Sequence, residues 1–384
     1  MVQTLHYLDY AAATPMDDWV FSAMQPYFQD KFYNPSSPYA PAVAVRRDYE
    51  KAKTEIAQAI GASNTELIMT AGATESINLA LNSTKGHKIC TVTEHDSVRE
   101  AIKSGAYDFI PVDKHGRVSI ESIKELVRDD TELVSVALAN HEIGTIQPIA
   151  KIAQFVADAR RQRQQVGNKT PLYLHCDASQ GFGLVDIHVG RLGIDYLTLN
   201  SAKIYGPKQV GVLWVKTGSP VSPFIVGGGQ ESGVRSGTEN VAGVIGFAAA
   251  VSLVVKKRKS EVKRIGILRD KLQTRLTTTF PSAVVSGHPK HRLANFLHIS
   301  FPGIDAERVV FLLENKGVMV ATGSACAANK ATRSAVLAAI GLEASLADGS
   351  LRLSLGKHTT EETIEIAGGA IVEAIRHEYA RIGQ

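Results

Sequence analysis

Leu172-Tyr173-Leu174-His175-Cys176-Asp177-Ala178-Ser179-Gln180 and Leu197-Thr198-Leu199-Asn200-Ser201-Ala202-Lys203-Ile204-Tyr205-Gly206-Pro207-Lys208 decide how this chain is read. In each, an apolar run of strand character ends in a polar residue at its C-terminal edge. Open α/β sheets gather their ligand chemistry at that edge. An acid and an amine delivered there together suit pyridoxal 5′-phosphate (PLP). The lysine closes a Schiff base with the cofactor aldehyde, and the carboxylate keeps the ring nitrogen protonated so that the ring accepts electrons. Such a pair also arises by chance in α/β proteins, so it needs phosphate- and substrate-binding groups beside it.

Outward from this pair the chain alternates. Arg46 to Ile60 has helical apolar spacing, Leu67-Ile68-Met69-Thr70 reads as a short buried strand, and Gly72 to Leu81 as a turn entering a helix. Ile89-Cys90-Thr91-Val92 and Leu133 to Leu138 are further strands, with helices over Ile120 to Asp129 and Lys151 to Gln165. This alternation predicts an α/β fold with a mostly parallel sheet covered on both faces. Val241 to Val255 reads as a buried helix. Beyond it the texture changes to a charged helix, Lys256 to Thr279, followed by shorter strands and helices. The expected organisation is a large domain over 15–255 and a smaller α+β domain over 256–384, completed by residues 1–14.

The 384 residues suffice for two domains and a large core, and 44% hydrophobic with 21% charged residues is ordinary for a globular protein. A formal charge of +4 is too small at this length to suggest nucleic acid as a partner. The basic runs Arg160-Arg161-Gln162-Arg163 and Lys256-Lys257-Arg258-Lys259 read as solvated helix ends or faces. Met1 to Tyr7 has neither the basic start nor the apolar core of a signal peptide. The longest apolar stretch, Val241 to Val255, is short for a membrane span. Cys90, Cys176 and Cys326 give no disulfide framework and no paired metal spacing, so a reduced, cytoplasmic compartment without a metal site is expected.

Thr70-Ala71-Gly72-Ala73-Thr74-Glu75-Ser76 is a small-residue turn between a strand and a helix. Its backbone N–H groups and the Thr74 hydroxyl form a phosphate cradle in chemical terms, although an ordinary helix start capped by Thr74 or Ser76 has the same composition. Thr93-Glu94-His95-Asp96-Ser97 leaves the Ile89 strand with an imidazole suited to stack on a flat ring and handle protons near neutral pH. Asn140-His141-Glu142-Ile143-Gly144 leaves the Leu133 strand with an amide. Gly227 to Asn240 is too rich in glycine to pack a core and reads as a loop serving a ligand or a subunit contact. In Ala321-Thr322-Gly323-Ser324-Ala325-Cys326-Ala327-Ala328-Asn329 a cysteine sits among small polar residues, which argues for an accessible nucleophile rather than a packed thiol. Cys90 and Cys176 lie in strand patterns and read as core. Arg352, in Leu351-Arg352-Leu353-Ser354-Leu355-Gly356, interrupts an apolar strand and needs an anionic partner, for which a substrate carboxylate is a candidate.

Taken in order, these blocks resemble the class I cysteine desulfurases (the NifS/IscS-like group) of the class V aminotransferase branch of fold-type I PLP enzymes. The resemblance runs nearly end to end. It begins at Tyr7-Leu8-Asp9-Tyr10-Ala11-Ala12-Ala13-Thr14-Pro15 and Asn34-Pro35-Ser36-Ser37, takes in the cradle, His95, Asn140, Asp177 and Lys203 blocks and Arg235-Ser236-Gly237-Thr238, and closes with the Cys326 and Arg352 blocks. It implies removal of sulfur from L-cysteine, giving L-alanine and a persulfide on Cys326 for iron–sulfur cluster assembly or for thiolation of tRNA or cofactors. Lys203 is then the residue that carries PLP and moves protons, Asp177 the partner of the pyridine nitrogen, His95 the ring-stacking group and Gln180 the donor to the phenolic oxygen. Ala73 and Thr74 bind the phosphate, joined by Thr238 of a second subunit, so a homodimer is implied. Asn140 and Arg352 hold the substrate carboxylate. A sulfur-acceptor protein is implied as a further partner, while a membrane or nucleic acid is not.

Three places depart from the family pattern. Its usual Ser-x-His-Lys is here Asn200-Ser201-Ala202-Lys203, which removes an imidazole from the phosphate and leaves Asn200 or Ser201 to replace the hydroxyl contact. The stretch Ala327 to Leu337 lacks the usual Glu-Pro-Ser. The sequence ends at Gln384, soon after a helix over Ile364 to Tyr379, without the extension by which housekeeping members contact their iron–sulfur scaffold. Alternatives are a selenocysteine lyase or an aminotransferase of the same class, and a catalytically weakened binding or scaffold protein. An aminotransferase has no use for the thiol block, and Lys203, Asp177, Cys326 and Arg352 together argue against a weakened relative.

Overall fold

Short apolar runs become strands here because each can bury both of its faces, with alternate side chains entering different cores. A computed structural model describes residues 5–323 and 333–383. After β1 (His6–Tyr7), the main sheet is built from β2 (Leu67–Thr70), β3 (His87–Thr91), β4 (Tyr107–Ile110), β5 (Thr131–Ser135), β6 (Tyr173–Asp177), β7 (Tyr196–Asn200) and β8 (Gly211–Val215). Their order is β2-β8-β7-β6-β5-β3-β4, and among the described residues only β8 runs against the other six. The expected α/β fold with a mostly parallel sheet is what forms.

The alternation is explicit in the packing. Leu67, Met69, Ile89, Val134, Val212 and Trp214 face one core, shared with helix Ala40–Ala59 and the start of helix Val241–Thr279. Ile68, Cys90, Leu133 and Leu213 face the other, under Ile77, Leu79 and Leu81 of helix Ala73–Asn82. His175 stitches the middle of the sheet: its ring reaches Ser135 Oγ on β5 at 2.8 Å and Thr198 Oγ1 on β7 at 3.0 Å. Burial pushes its pKa down to about 4, so the ring is a neutral cross-strand link two residues before Asp177.

A second, antiparallel sheet contains β9 (Val284–Ser286), β10 (Phe296–Ser300), β12 (Ala321–Thr322) and β13 (Ser350–Ser354) in the order β12-β13-β10-β9. β1 pairs in parallel with β11 (Val318–Met319), and Asp9 bridges to Ser354, so the N-terminal segment joins this smaller sheet. Its core is separate, formed by residues such as Leu297, Ile299, Leu351 and Leu353 with Ile364 and Ile371.

Two sequence expectations are corrected. Val241 to Val255 and Lys256 to Thr279 are one continuous helix of 39 residues, Val241–Thr279. The change of texture marks a change of neighbours: Val241 to Val251 pack in the main core, whereas Ile265, Leu268, Leu272 and Leu276, at helical spacing, pack in the smaller one. The second correction concerns Arg163, read as solvated. It is buried and donates to the carbonyls of Arg128, Thr131, Thr170 and Pro171, tying the end of helix Ile149–Gln165 to the loop before β6. Among the described residues no helix is long and apolar enough to cross a membrane.

Candidate active site

Of the residues singled out in the sequence, Asp177, Lys203, His95, Asn140 and the Ala73–Thr74 turn end or follow strands at the C-terminal edge of the main sheet, and Arg352 lies on the smaller sheet. Asp177 closes β6, and its neighbour β7 holds Thr198 opposite it, so that chain leads out through Asn200 into the turn Ser201–Lys203. Asp177 Oδ1 accepts from Ser179 N at 2.9 Å and Ser179 Oγ at 2.6 Å, which orients the carboxylate and leaves Oδ2 to accept from a ligand. Lys203 Nζ donates to Ala11 O at 2.8 Å and Ala12 O at 2.7 Å. Gln180 Nε2 donates to the same Ala11 carbonyl at 3.0 Å, so the N-terminal segment, the amine and the amide meet at one point.

The phosphate cradle resolves in favour of an open helix end. Gly72 occupies the N-cap of helix Ala73–Asn82 with φ 138° and provides no side-chain cap, and Ser76 Oγ is turned instead to Thr70 Oγ1 at 2.8 Å. The first-turn N–H groups are thus left for an anion, at the positive end of the helix dipole. Gly211 of β8 pairs with both Thr70 and Asn200, which brings the cradle and the β7 exit into register. A Cβ at position 211 would stand 2.6 Å from the Gly72 carbonyl carbon, so glycine is required for this approach. Of the two residues offered for the missing hydroxyl contact, Ser201 is fully buried with its Oγ against Gly206, whereas Asn200 is half-exposed and uses Oδ1 to cap Ala202 N. The amide N–H groups of Asn200 therefore remain beside the cradle. Thr74 and Thr238 are exposed.

His95 caps helix Asp96–Ala101, with Nδ1 accepting from Ser97 N at 3.1 Å. Its ring meets His141 edge to face, 5.1 Å between centroids. His141 titrates well below the ordinary range, first because burial penalises the cation and then because His95, Arg352 and Lys203 are all near. That crowding of positive groups fits a site for a phosphate and a carboxylate. Asn140 is buried, donates to Thr93 O and accepts from Glu142 N and Ile143 N, holding the turn that presents His141. Arg352, on β13, is also buried. It donates to Asp9 Oδ1 at 2.8 Å and His141 O at 3.1 Å, while its buried Nε has no partner. The anionic partner within the chain is thus Asp9, and Nη1 and Nη2 each keep a second N–H beyond these two bonds.

Several participants were not legible as such. Asp9 was visible only as part of a motif; nothing local announces a pairing across the whole chain. Glu94 is fully buried, accepts from Thr91 Oγ1 and Ala137 N at 2.7 Å each, and leaves Oε2 buried without a partner. Burial, and then the nearby Asp177, push its pKa up to about 8. Glu142 is raised to about 7, mainly by burial, and accepts from Ser334 Oγ. Cys90 and Cys176 are core thiols, pushed well above the ordinary range by burial. Cys326 lies outside the described residues.

Residues 6–366 match the model of the family described as Aminotransferase class-V. The chain is 39% identical over 371 residues to "Cysteine desulfurase IscS 1" of Archaeoglobus fulgidus, covering 94% of either protein. It is 38% identical over 370 residues to "Cysteine desulfurase IscS" of Dictyoglomus turgidum, covering 93% of this chain and 91% of that protein. Among solved structures, a "NIFS-LIKE PROTEIN" superposes with a TM-score of 0.89 at 33% identity, over 97% of this chain and all of the other. With likeness of this extent in both sequence and fold, the chain belongs to the class V aminotransferase family, among its IscS/NifS-like cysteine desulfurases.

Proposed function

We propose that this protein is a PLP-dependent cysteine desulfurase acting on L-cysteine, with Lys203 as the attachment point of the cofactor. The observation that carries the reading is the placement of Asp177 and Lys203 on the exits of adjacent strands, in register with an uncapped helix end across Gly211. The residues present fit the cofactor: an oriented carboxylate for its ring nitrogen, an amine, an open cradle for its phosphate and, for a substrate carboxylate, the guanidinium of Arg352 with N–H groups beyond those given to Asp9 and His141. When bound, PLP supplies an electron sink beside the substrate amine.

The chain's own residues supply the rest. Asp177 would pair with the ring nitrogen, Gln180 would donate to the phenolic oxygen, and His95 would stack on the ring. Ala73 and Thr74 would hold the phosphate with Asn200, joined by Thr238 from a second copy of the chain. Asn140 and Arg352 would hold the substrate carboxylate, Asn140 from the turn that its own amide braces. Lys203 would carry protons between substrate carbons once its amine is free of the cofactor. Cys326 takes the sulfur, so the net reaction converts L-cysteine and a thiol into L-alanine and a persulfide. The large domain, 15–255, provides the cofactor site, and the small domain, 256–384 with 1–14, provides Arg352 and Cys326. A sulfur-acceptor protein then removes the persulfide sulfur.

Lys203→Ala should abolish the PLP adduct that borohydride fixes on the wild-type protein, as read by peptide mass spectrometry. An adduct persisting in this variant, or mapping to Lys208, would contradict the assignment.

A further inference from the structure

His298 on β10 and Arg352 on β13 stand directly opposite each other, so their side chains leave the same face of the smaller sheet, with Cβ atoms about 5 Å apart. Both are buried, His298 completely. The imidazole reaches over β13 toward the end of β12, where a Cβ at Gly323 would stand 2.9 Å from Nε2. It therefore passes beside the arginine side chain.

Neither residue is fully paired. Nδ1 and Nε2 of His298 are buried without a hydrogen bond, and so is Arg352 Nε. Burial, and then the charge of Arg352, hold the imidazole down at a pKa of about 3. The ring is thus neutral, with one nitrogen a donor and the other an acceptor. An acceptor and a donor are left unpaired one strand apart, although buried polar groups are as a rule paired. What keeps them apart is the far end of the arginine, whose fork is held by Asp9 Oδ1 at 2.8 Å and His141 O at 3.1 Å. A carboxylate seated on the remaining N–H groups of that fork draws the guanidinium off this position, and a small turn then brings Nε to the ring.

We propose that His298 is a positioning residue for substrate: when a carboxylate binds the Arg352 fork, Arg352 Nε donates to the imine nitrogen of His298. The bond belongs to the carboxylate-bound position of the arginine alone, so it strengthens substrate binding and leaves later steps untouched. His298 is too deeply buried to meet the substrate and acts only through Arg352. The inference rests on the carboxylate role of Arg352 proposed above.

The test uses the full-length, PLP-loaded enzyme. His298→Leu offers no acceptor and should raise KM for L-cysteine about tenfold with kcat unchanged. His298→Asn, whose amide oxygen accepts, should recover most of that loss. In wild type labelled with nitrogen-15 histidine, and with the His298 signal assigned by its loss in His298→Asn, L-alanine should shift the imine nitrogen. Ethylamine, an amine without a carboxylate, should not. The wild-type spectrum decides the matter if His298→Leu does not fold. An unchanged KM in His298→Leu, an equal KM in the Leu and Asn variants, a signal unmoved by L-alanine, or one moved equally by ethylamine would overturn the bond. If calorimetry finds L-alanine bound as tightly by Arg352→Lys as by wild type, the carboxylate role of Arg352 falls and this inference with it. Weakened binding in Arg352→Lys beside an unmoved His298 signal would overturn this inference alone.

Discussion

At the scale of single residues, Glu94 shows how the site holds its charges. Burial of the Glu94 carboxyl, with one oxygen sealed from water, favours its neutral form and outweighs the two hydrogen bonds from Thr91 and Ala137 that stabilise the charged one, and Asp177 nearby opposes a second negative charge. Its pKa rises from 4.5 to about 8, so between those values the folded state holds a proton that the unfolded chain has lost. Stability attributable to Glu94 is therefore present below pH 4.5 and is lost as pH climbs through 8. Glu94→Gln cannot ionise. Its stability relative to wild type should rise by up to roughly 4 kcal/mol from pH 5 to pH 9, measured by urea unfolding. A difference independent of pH would mean that Glu94 is charged throughout. Arg352→Lys should raise KM for L-cysteine by about tenfold to a hundredfold with cofactor content unchanged, since a point-like ammonium lacks the planar fork that spans Asp9 and His141 O and pairs a carboxylate with two N–H groups. An unchanged KM would remove Arg352 from substrate binding. Asp177, Lys203 and the need of Arg352 for an anion were legible because each polar residue interrupts or ends an apolar run. The burial of Glu94 and Arg163 was not, because sequence period reports a side chain's face and not the depth of what covers it.

At the scale of elements, strands were easier to read than joints. Leu67–Thr70 formed as expected, since four apolar or β-branched residues between polar turns leave few alternatives. The continuity of helix Val241–Thr279 was illegible because the helix changes company, and with it composition, without changing conformation. The glycine-rich loop read as serving a ligand or a subunit contact has an anchor that composition hides. Glu231 turns back into the main domain to accept from Tyr49 Oη, Lys53 Nζ and Met69 N. The Lys53 and Glu231 side chains are 10% and 5% exposed, so removing one strands the other's charge. Glu231→Ala should cost about 3 kcal/mol of stability by urea unfolding. A loss below about 1 kcal/mol would show that the loop is held by other contacts.

At the scale of the whole molecule, two cores share one long helix and the N-terminal segment, so Arg352 and Lys203 are fixed to different bodies that meet at Ala11 and Asp9. The residues that join the two cores were not legible, since they are far apart in sequence. The exposed Thr238 makes a further claim on a second copy of the chain. Mixed dimers of a Lys203→Ala chain with a Thr238→Val chain should recover one tight PLP site per dimer, read by cofactor titration, because the intact Lys203 then faces an intact Thr238. No recovery would place Thr238 within its own chain's site. The central claim is sulfur transfer to Cys326. Brief exposure of the PLP-loaded protein to L-cysteine without reductant, followed by peptide mass spectrometry, should find one added sulfur on Cys326, and Cys326→Ala should retain PLP yet release no L-alanine. Added sulfur on Cys90 or Cys176, or full turnover in Cys326→Ala, would contradict the account.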